Sequence, residues 1–387
     1  MSTTQRIVSF LPSATEMACA LGLSDRLVGI THECDYPPEI TGKPVVVRNA
    51  ISLDGLSQSE IDQSVTERLR NGQSLYQIDE QLLQELRPDL ILTQNLCQVC
   101  APSGNEVSQV LALLPQKPEI LWMTPKSLAG IEQNLRDLGQ ATGRTHEAEV
   151  LIARGRARLE AIAAATRDLS NRPRVFCLEW LDPVYCSGHW VPEMVKLAGG
   201  VDQLGREGTD SIRISWDEVL NWAPEVLIIM PCGFNLDKVI EQAPQLFNRL
   251  GWSDLPAVRD GRVYAVDANS YFARPGPRVV EGTELLAHLI HPELFAWKGS
   301  TTAYHRFEFS AVRPRNDSSA TLGLCAHDLR NPQQKNCSVC GTAFTCGPEP
   351  GQNHCWCDAL PHVSLVTTAD QDCLCPKCLA EVILAMK

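Results

Sequence analysis

The chain has 387 residues, 44% of them hydrophobic and 21% charged, with a formal net charge of −12. That length allows two or three domains, and the composition is that of a folded globular protein. The acidic balance argues against a nucleic acid or an anionic membrane surface as partner.

The first 17 residues, MSTTQRIVSFLPSATEM, run straight into a strand pattern. No basic segment followed by an apolar one marks a secretory leader, and no apolar run approaches the ~18 residues of a membrane span. The expectation is a cytoplasmic chain that does not cross a membrane; a start codon further upstream would reopen a periplasmic location.

Residues 6–11 (RIVSFL) read as a buried strand, broken by Pro12-Ser13, with a helix over 14–21 that stops at Gly22. Strands follow at 27–31 and 43–48, then a helix before Pro88, a strand at 89–93 and another at 120–123. Residues 127–140 form a helix, which Gly143 separates from a longer one, Thr145–Thr166. In that long helix Ala148, Leu151, Ile152, Gly155, Leu159, Ile162, Ala163 and Thr166 recur at the spacing of one buried face. Periodicity alone allows two readings, a strut between lobes or an ordinary crossover helix.

After Pro173 the pattern restarts: strands at 174–179, 226–230 and 263–266, a helix at 192–198 stopped by Gly199-Gly200, and a closing helix at 279–290. Short apolar strands alternating with helices predict mostly parallel sheets covered by helices. Leu86-Arg87-Pro88-Asp89-Leu90-Ile91-Leu92 echoes Trp222-Ala223-Pro224-Glu225-Val226-Leu227-Ile228: helix end, proline, acid, buried strand. This repeat favours two α/β lobes joined by the long helix. The expected domains are an N-terminal lobe (1–144), the linking helix (145–167), a C-terminal lobe (168–298), a linker (299–334) and a cysteine-rich module (335–387).

Ligands of open α/β sheets bind beyond the carboxyl ends of the strands. Here those loops carry Tyr36, Trp180, Tyr185, Trp190, Phe234, Tyr271 and Phe272, interleaved with His32, Cys34, Cys97, Cys100, His189, Arg274 and Arg278. Aromatic rings at several strand ends suit a large planar or amphipathic ligand. The chain contains no phosphate-binding glycine loop, no dinucleotide fingerprint, no HExxH and no GxSxG. Cys97-x-x-Cys100 lacks the following His of a haem attachment site and is followed by Ala101-Pro102; it reads as a redox pair, half a metal site or two thiols on a pocket wall. His32, His189 and a Cys34 thiolate can each ligate cobalt or iron; equally, each histidine can hydrogen-bond a ligand edge or cap its own loop.

The stretches FLPSATEM, THECDYPPE, LRPDLILTQNLCQVCA, EWLDPVYCSGHWVPEMVKLAGG, PEVLIIMPCGF and YFARPGPRVVEG together resemble the helical-backbone (class III) periplasmic-binding-protein family, most of all its cobalamin-binding branch. The resemblance spans roughly residues 6–292 and implies two Rossmann-like lobes, a rigid connecting helix and a ligand held between the lobes. Corrinoids, haem and ferric siderophores are the ligands it implies, with cobalamin first. By position, one wall would comprise Ser13, Ala14, Thr15, His32, Cys34, Tyr36, Cys97 and Cys100. The other would comprise Trp180, His189, Trp190, Phe234, Tyr271, Phe272 and Arg274. The resemblance also implies an ABC permease as partner, docked through one acid per lobe, with Asp79 or Glu80 and Asp217 or Glu218 at the matching helices; for a cytoplasmic chain the partner would be an acceptor protein. It implies a binding protein with no catalytic residues. The rival is an enzyme that modifies the bound corrinoid through Cys97, Cys100 or His189.

The sequence holds 16 cysteines, and nine of them fall between Cys325 and Cys378. Cys337, Cys340, Cys346, Cys355, Cys357, Cys373, Cys375 and Cys378 occupy a segment too short for an adequate apolar core. In a chain without an export leader such a cluster predicts thiolate-bound structural zinc in preference to disulfides. His354 and His362 could replace a thiol, and an iron–sulfur cluster is the lesser alternative. The Cys-Trp-Cys centre resembles the small cysteine-rich CWC family.

Overall fold

The computed structural model describes residues 5–53, 55–95, 114, 116–309, 333–336 and 342–346. Contacts divide the chain into two units, residues 1–311 and 312–387. Cys97, Cys100, Cys337, Cys340, Cys355, Cys357, Cys373, Cys375 and Cys378 lie outside the described residues.

The first lobe opens with β1 (Ile7–Ser9), α1 (Pro12–Ala20) and β2 (Leu27–Thr31). Pro12 does not break the chain before the helix; it enters the first turn, where no backbone N–H is needed. There follow β3 (Val45–Asn49), α2 (Gln58–Arg70), β4 (Tyr76–Ile78), α3 (Glu80–Leu86), β5 (Leu90–Thr93), β6 (Glu119–Trp122) and α4 (Leu128–Thr142). The sheet order is β4-β3-β2-β1-β5-β6. Only the β3–β4 pair is antiparallel.

Next comes α5 (Thr145–Thr166). The second lobe comprises β7 (Val175–Trp180), β8 (Tyr185–Cys186), β9 (Gly188–His189), α6 (Val191–Leu197), β10 (Arg206–Glu207), α7 (Trp216–Trp222), β11 (Val226–Ile229) and α8 (Leu236–Gln242). It closes with α9 (Pro256–Arg259), β12 (Val263–Val266), α10 (Ala268–Tyr271), α11 (Val279–Ile290) and β13 (Tyr304–Arg306). The main sheet runs β13-β12-β11-β7-β8, with three parallel strands between antiparallel edges. All four residues of β5, of β11 and of β12 are buried, as expected of parallel strands covered on both faces. In the second unit, β14 (Gln333–Asn336) pairs antiparallel with β15 (Ala343–Cys346), which ends on Cys346.

The internal repeat is present in three dimensions. α3 and α7 each have seven residues and end on a left-handed residue, Arg87 at φ 43° and Ala223 at φ 49°. Each left-handed residue precedes a proline and an acid. Asp89 accepts the backbone N–H of Arg6 at 2.8 Å, and Glu225 accepts that of Arg174 at 2.9 Å. Arg6 and Arg174 in turn donate Nε to the helix-end carbonyls of Leu86 and Ala223. The same device therefore ties a helix end to a central strand in each lobe.

α5 packs along its first half on α4 and along its second half on α6 and α11. Ala148 and Ile152 are buried near one end, Ile162 and Thr166 near the other. Its exposed flank is ion-paired to both lobes, Arg136–Glu149 on one side and Arg158–Glu284 on the other, at 2.9 and 2.7 Å. Gly155 allows the close approach of α11, since a Cβ there would stand 3.2 Å from Val280. The helix is thus a strut held at both ends. Among the described residues no helix is long and apolar enough to cross a membrane.

Candidate functional site

The carboxyl ends of the parallel strands lead, in the first lobe, to the start of α1, to residues 32–36, to Gln94 and to residues 123–127. In the second lobe they lead to residues 181–190, 231–235 and 267–278. The two lobes meet near these loops, and three contacts among the described residues cross between them there.

The first crossing is ionic. Glu16, on α1, is 4% exposed. Its carboxylate accepts Nε of Arg278 at 2.9 Å and Nη1 of Arg274 at 3.4 Å. Arg274 also ion-pairs with Asp35 and donates to the Glu33 carbonyl at 2.9 Å. The Arg278 guanidinium stands 4.2 Å from the Tyr36 ring centroid, a cation–π distance. Both arginines come from the loop before α11, so they clasp the first lobe from the second.

The second crossing joins the starts of α4 and α6, where Glu193 accepts the backbone N–H of Leu128 at 2.9 Å. The third is α2. Gln58 is fully buried and its Oε1 accepts the N–H of Leu181 at 2.7 Å, while its carbonyl accepts Nε1 of Trp180 at 3.3 Å. Asp62 binds Arg213 at 2.9 Å, and Ile61 joins the apolar cluster of the second lobe with Leu181 and Val184. α2 belongs to the first lobe by sequence and to the second by packing.

The candidate residues divide by burial. Ser13, Ala14 and Thr15 occupy the first turn of α1; all three are buried, and Ala14 is part of the core. Thr15 Oγ1 lies 3.1 Å from Cys34 Sγ. Burial is the main cause that pushes the Cys34 thiol up to about 11, so without a metal it is a thiol at neutral pH. Trp190 and Phe272 are core residues, 5% and 1% exposed, joined by a hydrogen bond from Trp190 Nε1 to the Phe272 carbonyl at 2.9 Å. Tyr271 is half-buried against Trp297. Trp180 and Phe234 form an edge-to-face pair at 5.6 Å, and Lys238 sits 4.4 Å above the Phe234 ring. Tyr36 is 44% exposed. His32 is anchored through Nδ1 to the Val47 carbonyl at 3.1 Å. His189 is anchored through Nε2 to Asp210 at 3.0 Å.

Glu16, Asp35, Gln58, Asp62, Glu193 and Asp210 are absent from the set read out of the sequence. Only the α2 crossing left a local trace there: Ser57-x-x-Glu60 is a capping box, and both of its hydrogen bonds form. The others pair residues 21 to 262 positions apart. A cavity of about 650 Å³ beside Thr166, Arg172, Lys196 and Asp202 contains none of the candidate residues. No cluster of three or more metal-binding side chains occurs among the described residues.

Residues 7–270 match the periplasmic binding protein family, and residues 337–380 match the cysteine-rich CWC family. The chain is 27% identical over 283 residues to the vitamin B12-binding protein of Vibrio cholerae, covering 72% of this chain and 87% of that one. It is 24% identical over 299 residues to an uncharacterized ABC transporter substrate-binding lipoprotein, YvrC, of Bacillus subtilis, covering 75% and 81%. The apo periplasmic heme-binding protein RhuT of Roseiflexus sp. RS-1 superposes with a TM-score of 0.57 at 23% identity, over 75% of this chain and 99% of that one. Its likeness is one of fold. The two sheets, the strut α5 and the family match over most of both lobes lead to one conclusion: this chain belongs to the periplasmic binding protein family.

Proposed function

We propose that the protein binds cobalamin or a related corrinoid between its two lobes, as a binding protein without catalysis. The observation that carries this reading is the pairing of the arginines at the strand ends, which leaves Lys126 and Lys238 as the cations there without an ion pair among the described residues. Arg274 and Arg278 are held by Glu16 and Asp35, and Arg213 by Asp62. Residues 94–116 contain no lysine or arginine. A ligand bearing carboxylates, such as haem with its two propionates, needs unpaired cations. A corrinoid rimmed by amides needs flat apolar contact and hydrogen bonds, which the exposed Tyr36 and the half-buried Trp180 with their polar neighbours can supply, whereas Phe234 is a core residue at 4% exposure. The likeness to a vitamin B12-binding protein supports the same choice. The fold likeness to a heme-binding protein keeps haem as the second reading.

Equilibrium dialysis of the full chain against cyanocobalamin and haem in parallel tests the choice. Retention of cyanocobalamin at least tenfold tighter than haem is expected; the reverse order would replace corrinoid by haem.

The partner is part of the proposal. Asp79 and Glu218 are engaged as helix caps, which leaves the exposed Glu80 and Asp217 as the docking acids for a permease. A chain retained in the cytoplasm would instead pass its ligand to an acceptor protein, and cell fractionation decides between them. For the cysteine-rich module we propose structural zinc on the eight cysteines of residues 337–378, the composition best suited to closed thiolate sites. Metal analysis of the purified chain should find zinc; a metal-free, folded module would remove this assignment.

A further inference from the structure

We propose that His189 Nδ1 is an axial ligand to the metal at the centre of the bound macrocycle, with Asp210 as the carboxylate that fixes its tautomer. The inference rests on the reading of the cleft as a corrinoid site and adds to it one coordinate bond.

His189 lies at the junction of the lobes. It precedes by four residues Glu193, which crosses to Leu128. Lys126, in the first-lobe loop before α4, is near enough to bias its charge. The ring is held on one side only. Nε2 is 3.0 Å from Asp210 Oδ1, and a carboxylate can only accept, so Nε2 carries the proton. Nδ1 therefore holds the lone pair, and it has no hydrogen-bond partner among the described residues. The side chain keeps 14% exposure. Burial, only partly offset by Asp210, lowers the imidazole pKa from its ordinary value and so favours the neutral ring. A neutral imidazole with one nitrogen bonded to a carboxylate is the arrangement that metal-ligating histidines use.

The backbone is built for this position. His189 has φ 53°, a left-handed conformation that disfavours any residue with a Cβ. Three features enforce it. Its N–H donates to the Thr209 carbonyl at 2.7 Å, its carbonyl accepts the Gly208 N–H at 2.9 Å, and Gly188 beside it passes so close that a Cβ would stand 2.4 Å from Ser211 N. Below the imidazole lies Trp190, its ring centroid 5.5 Å away and its own Nε1 fixed to the Phe272 carbonyl. Strain enforced by several independent contacts marks a functional position. The other two candidates lack this combination. Cys34 is a buried thiol in contact with Thr15 Oγ1, and the His32 Nδ1 lies at the Val47 carbonyl and Thr31 Oγ1, with no carboxylate hydrogen bond among the described residues.

The step is a ligand exchange. Imidazole Nδ1 donates its lone pair to cobalt(III), the axial water leaves as water, and no electron moves to or from the metal.

The probe is diaquocobinamide, a corrinoid without the nucleotide base, whose axial positions carry water. Its visible spectrum is followed during titration of the full chain, with tryptophan fluorescence as an independent measure of binding. Wild type and His32→Ala should show the red shift of an imidazole-ligated cobalt. His189→Gly, which suits φ 53° and should fold, should bind within about tenfold of wild type and show no shift; added free imidazole should restore it. A shift that persists in His189→Gly, or binding by wild type with an aquo spectrum, overturns the ligation and leaves the corrinoid site standing. Failure of wild type to bind any corrinoid overturns the site itself.

Discussion

At the scale of single residues, the molecule is governed by carboxylates in unusual places. Glu16 is buried because two arginines reach it from the other lobe. No periodicity could have disclosed it, since its partners stand 258 and 262 residues away. Asp202 is half-buried, with the backbone N–H groups of Leu204 and Gly205 at 3.1 and 2.9 Å and Ser187 Oγ at 3.2 Å. Desolvation outweighs these donors and raises its pKa to about 6. A carboxyl whose folded pKa lies above its unfolded value favours the folded state while protonated. That contribution is complete below about pH 4 and is lost as pH rises through about 6, a difference of about 3 kcal/mol. Asp202→Asn keeps the shape and removes the titration. Its stability should be flatter than that of wild type between about pH 4 and 7, measured by urea unfolding at each pH. Parallel pH profiles would mean that Asp202 ionises without cost.

At the scale of elements, much was legible. β2, β12, α5 and α11 have the limits expected from their apolar patterns, and the Leu86–Leu92 and Trp222–Ile228 segments repeat in space as they do in sequence. α2 was not legible, although its capping box was in view. Its apolar positions are few, and they pack on the lobe that follows it, so no local apolar face announces a helix. Loop aromatics also misled in part. A position beyond a strand end fixes where a residue starts, not whether its ring turns to the cleft or into the core, and Trp190 and Phe272 turn inward. The repeated helix ends offer a direct test. Ala223 holds φ 49° at the end of α7 without the freedom of glycine. Ala223→Gly should stabilise the protein by about 0.5–1 kcal/mol. A fall in melting temperature would show that the left-handed cap carries no strain.

At the scale of the whole molecule, two lobes, each with a mostly parallel or mixed sheet, are held apart by α5 and held together by the clasp, by α2 and by Glu193. The strut carries none of the chemistry proposed here, yet it sets the spacing of the loops that do. Ala153 is exposed on α5, so Ala153→Pro bends the helix while touching no candidate residue. A folded Ala153→Pro variant should lose at least tenfold in corrinoid affinity; unchanged affinity would make α5 an ordinary connector. The central claim is that the cleft takes a corrinoid, and titration calorimetry of the full chain with cyanocobalamin tests it most directly. The expected result is one saturable site per chain with a dissociation constant below about 1 μM, or roughly 8 kcal/mol of binding free energy. No heat of binding, together with saturable binding of haem to the same protein, would contradict it.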